Sequence, residues 1–427
     1  MPSRRRTCLF PNTACSWLAL AGLLAAAPLG AAPAGAEELG EITVSAGDHD
    51  RRGTPVTHDL PPALAEALAT RDIELRGKGP RIALQRLPDG RGAFVLPRLG
   101  KGQNATYRLV SRPRKASAAA VVVEEDPDGA GLWVRLGKNK AFRYQALARP
   151  PRPDIDSAYL RGGYIHPVLS PRGTVVTDDY PEDHKHQHGI FTAWTKTEYE
   201  GRAPDFWNMG QKKARKDHVS LEGTFGGPVA GGFRARLGST DLGATPPKVV
   251  LDERWMVTLY RTHPGRPPHF LFDLEWTDEV QGNSPLVLPD YRYGGLGVRG
   301  SADWVDPEKV VFSTSEGKDR KSGEATRPRW SHLGGQVGKR VAGIAALDHP
   351  GNFRAPQPVR IHPKDPYFSL APQKAGPFEL VPGKPYVSRY RFVVSDGPVD
   401  RALLDRLWND YAHPPEVTVR LSGARSG

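Results

Sequence analysis

The chain has 427 residues, with 59 Lys and Arg against 47 Asp and Glu, and a net charge of +12. That length is enough for a large core, and its 46 Gly and 41 Pro stay short of a disordered composition and suit many strands joined by tight turns. A basic surface attracts anionic partners, but no zinc-finger, recognition-helix or aromatic-basic pattern appears, so nucleic acid is not an expected partner.

The first residues, Met1-Pro2-Ser3-Arg4-Arg5-Arg6, precede an apolar run from Ser16 to Leu24 and the small residues Ala34-Gly35-Ala36. This order reads as an export signal over residues 1–36, cut before Glu37, and the run is too short to span a bilayer. The arginines leave Sec or Tat export open. The protein is therefore expected in the periplasm or secreted, without a transmembrane segment in the mature chain. Cys8 and Cys15, the only cysteines, both lie in the signal. The mature chain must rely on its core rather than on disulfides.

From Glu37 to about residue 110, short strands are expected at Glu41–Val44 and Arg81–Leu84, around an Ala-rich segment from Pro62 to Thr70. This makes a small N-terminal β region, with Arg112-Pro113-Arg114-Lys115 as a connector. Leu132–Leu136 and Phe142–Tyr144 flank Gly137-Lys138-Asn139-Lys140, a hairpin turn. Leu251, Trp255, Val257 and Leu259 share one face of an alternating strand, as do Phe270, Phe272, Leu274 and Trp276 of the next, whose other face carries His269, Asp273 and Glu275. Tyr386 to Val394 alternates again. One helix is expected from about Pro398 to Tyr411, capped by Asp396, with Leu403, Leu404, Leu407 and Trp408 as its apolar stripe. Recurrent strands without helical crossovers predict an all-β fold: an antiparallel β-sandwich over residues 111–415 that carries the site, followed by a tail over 416–427.

The unusual chemistry lies between His166 and Asn208. Four of the 13 His fall from position 166 to 188, beside Asp178, Asp179 and Asp183. His184, His186 and His188 stand at i, i+2 and i+4, which on a strand would point all three to one face. Such a face could be a metal site, an acid–base site or a sugar-binding wall. Zinc through His184, His186 and His188 is the metal option, but the spacing completes no familiar zinc pattern, so a metal is not the favoured reading. For acid–base work on a sugar, His186 and His188 are the imidazoles, and Asp205 and Glu275 are the candidate carboxylates. Trp207 and Tyr293 could stack on sugar rings. Tyr291 to Arg299 places three glycines beside Arg299, which could grip a carboxylate or hydroxyls.

Tyr164-Ile165-His166-Pro167, Asp183 to Phe191, Asp205-Phe206-Trp207, Gly294-Gly295-Leu296-Gly297-x-Arg299 and Asp348-His349-Pro350-x-Asn352 together resemble a family of exported bacterial proteins. Its members are labelled "methane oxygenase PmoA" and treated as a domain of unknown function. Many look like Asp-His-x-His-His-Arg-Gly at the His-rich signature. This chain has Gln187-His188 where they have His-Arg, so no role for that arginine carries over. A methane monooxygenase subunit is an integral membrane protein, which the absence of a membrane span contradicts. The resemblance implies instead a sandwich similar to the galactose-mutarotase-like supersandwich, in bacteria that degrade polysaccharides.

The expected protein is thus exported and carbohydrate-active, an enzyme of hydrolysis, elimination or epimerisation, with a non-catalytic carbohydrate-binding protein or a metal-dependent oxidoreductase as alternatives. Its pocket would combine His186, His188, Asp205 and Glu275 as catalytic groups. His166, His184, Trp207, Asn208, Tyr293, Arg299 and Asn352 would hold a carbohydrate, with Arg299 binding an anionic or hydroxyl-rich substrate, so that the carbohydrate could be acidic.

Overall fold

A computed structural model of the protein describes residues 35–114, 119–263 and 268–422. The apolar run of the expected signal and both cysteines lie outside the described residues. Two eight-stranded antiparallel sheets form the body of the molecule. One, the cleft sheet, runs in the order Val359–Ile361, Tyr367–Leu370, Gly295–Arg299, Ile190–Ala193, Tyr164–Val168, Asn139–Gln145, Gly131–Leu136, Val121–Glu125. The other, the backing sheet, runs Ala214–Phe225, Ala230–Asp241, Lys248–Tyr260, His269–Val280, Tyr386–Asp396, Arg340–Asp348, Trp330–Val337, Val311–Thr314. The fold is the expected all-β sandwich.

Strand alternation decides what lies between the sheets. Phe270, Phe272, Leu274 and Trp276 of the backing sheet share one buried cluster with Tyr144, Ile165, Ile190, Leu296 and Phe368 of the cleft sheet. Phe142 and Phe272 meet across the two layers with ring centroids 4.6 Å apart, and Phe272 stacks on Phe392 at 5.0 Å. Such ring pairs add about 0.5–1.5 kcal/mol each beyond their buried area. The interior also holds charge. Lys216 donates to Glu253 and Thr192, Trp255 Nε1 donates to Glu253 at 2.6 Å, and Trp194 Nε1 donates to Asp278 at 2.6 Å, all in full burial. Burial holds the Lys216 ammonium below its usual range and pushes Asp278 well above the carboxylate range.

The helix predicted near the C-terminus is Arg401–Ala412, capped by Asp400, whose carboxylate accepts from Leu403 N at 3.0 Å. Asp396, the cap expected from the sequence, instead accepts from Ser170 Oγ and Arg172 N, so it ties the backing sheet to the loop that follows Tyr164–Val168. Leu404 and Leu407 of the helix bury against Leu271, Trp330, Ala345, Leu347 and Val393 on the outer side of the backing sheet. A second helix, Pro62–Thr70, forms from the Ala-rich segment, with Leu64 and Leu68 inward. It packs on a seven-stranded sheet made from residues 37–113 and one further strand, Glu416–Leu421. Those last residues, read from the sequence as part of a tail, pair antiparallel with Glu37–Ser45. Arg51, buried, joins this sheet to the helix through Asp410 at 3.1 Å. Among the described residues no helix is long and apolar enough to cross a membrane.

Candidate functional site

Inward and outward residues alternate along each strand of the cleft sheet, so its outer face is set by Tyr164, His166, Phe191, Ala193, Gly297, Arg299 and Tyr367. Tyr164, Phe191, Ala193 and Tyr367 join Ile155, Tyr180 and Trp207 in a second apolar cluster. Gly297 is required here: a Cβ would stand 2.7 Å from the Phe191 ring and 3.1 Å from Trp207. Trp207 is therefore part of the floor, only 2 % exposed, and is not free to stack on a ligand as expected.

The three histidines at alternate positions do not lie on a strand. Residues 181–189 form a turn, and the strand begins at Ile190. Pro181 and the polar run after it break the ladder, so the three rings go different ways. His188 is fully buried, stacked on Tyr164 at 4.3 Å. Its Nδ1 donates to Asp179 Oδ1 at 2.6 Å, and Tyr164 OH donates to Asp179 Oδ2 at 2.8 Å. Burial lowers the His188 pKa well below its ordinary value, so the ring is neutral, and it pushes Asp179 up to about 6. A group so enclosed cannot reach a dissolved substrate; its expected catalytic role gives way to packing. His186 is half-buried, edge-on to His184 with centroids 5.7 Å apart. Burial, then the neighbouring imidazoles, lowers its pKa to about 4. His166 turns its Nδ1 to Thr177 Oγ1 at 3.0 Å.

Asp205 is buried and spends its oxygens on its own turn, accepting from Trp207 N, Asn208 N, Asn208 Nδ2 and Thr195 Oγ1 at 2.9–3.2 Å. Its four bonds make it an organiser of the turn. Asn208 and Tyr293, both half-buried, meet at 3.3 Å, and burial pushes the Tyr293 hydroxyl up to about 12. Arg299 is likewise committed: it donates to Gln187 Oε1 at 3.0 Å and Asp183 Oδ1 at 3.2 Å, and lies 3.8 Å from Asp365. With its charge met inside the protein, it gives no support to an acidic ligand.

Glu275 and Asn352 are elsewhere. Glu275 points from the outer face of the backing sheet, on the far side of the sandwich, where it pairs with Arg389 at 2.7 Å and lines a different pocket of about 540 Å³ with Asp273, His349 and Tyr411. Asn352 is buried in a turn on that same sheet, bonded to Asp348 Oδ1 and to the backbone of Arg389. Neither can join the His-rich site.

Two residues that the sequence reading passed over complete the site. His362 and Asp365 lie in the turn between Val359–Ile361 and Tyr367–Leu370, and their neighbours Pro363 and Pro366 were the only local signal of a fixed turn. His184, His362 and Asp365 bring potential ligand atoms within 4.8 Å of one another. The trio His184, His186 and His188 forms no such group among the described residues. Alongside opens a cleft of about 860 Å³. Asp178, Asp183, Arg299 and Asp365 stand on its polar side, and Pro151, Val305, Pro307 and Pro366 supply apolar surface.

Fold and site together define a β-sandwich protein with an open, carboxylate-rich cleft on one outer face, beside the imidazoles of His184 and His362. The chain belongs to a family of unknown function (DUF6807), which matches residues 132–409, from the second strand of the cleft sheet to within the C-terminal helix. Among curated proteins no match is found.

Proposed function

We propose that this is an exported carbohydrate-active enzyme that takes a neutral glycan into the cleft beside His184 and Asp183. The observation that carries the reading is the make-up of the cleft, with hydrogen-bonding carboxylates and Arg299 among its lining and Pro151, Pro307 and Val305 exposing apolar surface. A sugar ring presents hydroxyls at its edge and C–H groups on its faces, so it can satisfy both kinds of surface at once. Val305 is 80 % exposed, unusual for an apolar side chain unless something covers it. The volume lies within the usual range of about 300–1,000 Å³ for small-ligand sites. Acidic side chains outnumber basic ones along the lining, which favours a neutral over an acidic glycan.

The test is a panel of neutral and acidic oligosaccharides incubated with the protein, with calorimetry for binding and mass spectrometry for products. Binding of a neutral saccharide, weakened at least tenfold by Val305→Asp, is the expected result. Failure of every neutral saccharide to bind at millimolar concentration, or equal binding by the variant, overturns the reading.

A further inference from the structure

We propose that His184, His362 and Asp365 bind a divalent transition-metal ion at the edge of the cleft. The three come from two turns far apart in the sequence, each fixed by prolines, and their potential ligand atoms converge within 4.8 Å. His184 Nδ1 lies 3.1 Å from Asp365 Oδ2, and His362 Nδ1 lies 3.1 Å from the same oxygen. Ligands held at about 2.0–2.1 Å around a tetrahedral zinc stand about 3.3 Å from one another, so these separations fit the edges of a coordination sphere.

Hydrogen bonding explains the arrangement less well. His184 Nδ1 and Asp365 Oδ2 are both shielded from solvent, and among the described residues neither has a hydrogen-bond partner, although they face one another. Asp183 Oδ2, 3.2 Å from the same nitrogen, does not satisfy it either. Two unmet polar atoms pointed at one spot would cost about 1–3 kcal/mol each, a cost that a shared cation removes. At His362 the Nδ1 accepts the backbone N–H of Asp365 at 2.9 Å, which marks it as the unprotonated nitrogen, the form that a metal requires. The ion would take over that lone pair from the amide.

Asp183 and Asp365 face the Arg299 guanidinium at 3.2 and 3.8 Å, and Arg320 braces the turn by donating to the backbone carbonyls of His362 and Asp365. Gln187 accepts from Arg299, which holds the carboxylates from behind, and the His186 and His362 rings pack edge-on against His184, with centroids 5.7 and 5.4 Å away. Three protein ligands leave coordination positions open, and Asp365 also lines the cleft, so a bound water or a ligand oxygen could occupy them. Two imidazoles and one carboxylate suit zinc and ferrous iron alike. The assignment stands whether or not the cleft holds a saccharide.

The experiment reads metal directly. The full chain is stripped with a chelator and titrated by calorimetry with Zn²⁺, and with Fe²⁺ under anaerobic conditions. The separate titrations show which of the two is preferred. One equivalent should bind, raising the melting temperature in proportion to occupancy. His362→Ala and the conservative Asp365→Asn should each weaken binding by at least about 10–100-fold, the loss typical even of outer-shell changes. His186→Ala should keep full stoichiometry. Absence of saturable binding for both ions by wild type overturns the proposal, and so does wild-type affinity in the folded Asp365→Asn protein. Because glycan is absent throughout, failure of the carbohydrate reading would leave this result untouched.

Discussion

His188 donates through Nδ1 to Asp179 at 2.6 Å from a ring with no exposed surface, whereas His186, two residues earlier, lies half-buried without a hydrogen bond among the described residues. One spacing in the sequence thus divides into a packing residue and a surface-facing one.

Replacing them should separate the roles. His188→Ala strands the Asp179 carboxylate and leaves a hole against Tyr164, at a cost of about 3 kcal/mol or more. His186→Ala should cost about 1 kcal/mol or less. Urea denaturation of both variants checks the difference; equal losses would mean that the burial contrast carries no energetic weight.

Stability should fall in mild acid because of His332. This residue is buried, neither ring nitrogen has a hydrogen-bond partner among the described residues, and burial lowers its pKa to about 4. A pKa depressed below the unfolded value of about 6.5 means that the unfolded chain takes up the proton first, so stability is fully present above 6.5 and is lost as pH falls towards 4. Between pH 7 and 5 this group alone accounts for about 2 kcal/mol. The ring sits where a Cβ on Gly343 would stand 2.3 Å from its Nε2, too tight for a larger side chain. His332→Gln is therefore the variant in which the slope of stability against pH should flatten.

Glu275→Gln should leave binding in the cleft beside His184 unchanged, since Glu275 sits on the opposite outer face, and its half-exposed pair with Arg389 contributes no more than about 1 kcal/mol. Calorimetry with whichever saccharide binds decides this. A clear loss of affinity would move the ligand to the pocket beside Asp273 and His349.

Lys216→Met removes one partner of a pair that is fully enclosed and leaves Glu253 charged between the sheets, a change expected to cost about 3–5 kcal/mol. Chemical denaturation measures it. A variant as stable as wild type would show that Trp255 and Thr192 alone satisfy Glu253.

The framework was readable because burial imposes a period. Phe270, Phe272, Leu274 and Trp276 repeat every second residue, and that alternation places them between the sheets. The same period tells nothing about which outer face a polar residue reaches, so it does not separate Glu275 from the histidines on the far side of the molecule. At His184 to His188 the alternation belonged to a turn, where Pro181 and Asp183 outweigh the spacing. His362 and Asp365 carried no local mark of function beyond their prolines; only the pairing of Gly295–Arg299 with Tyr367–Leu370 brings their turn to His184. Asp205, Trp207 and Arg299 stand out in the sequence, but what each one touches depends on contacts across the sheet that a linear pattern does not encode.

Val44 stands opposite Val417, and Gly40 opposite Leu421, with both large sheets lying between them in the chain. During synthesis the strand Glu37–Ser45 is made early, and its outer edge has no neighbour until the final strand emerges. An open edge of this kind invites pairing with other chains. The strand Glu416–Leu421 therefore acts as a latch on assembly: it closes the edge of a strand made long before it, so a chain clipped within Glu416–Leu421 would keep its sandwich and cleft yet present a sticky edge to its neighbours.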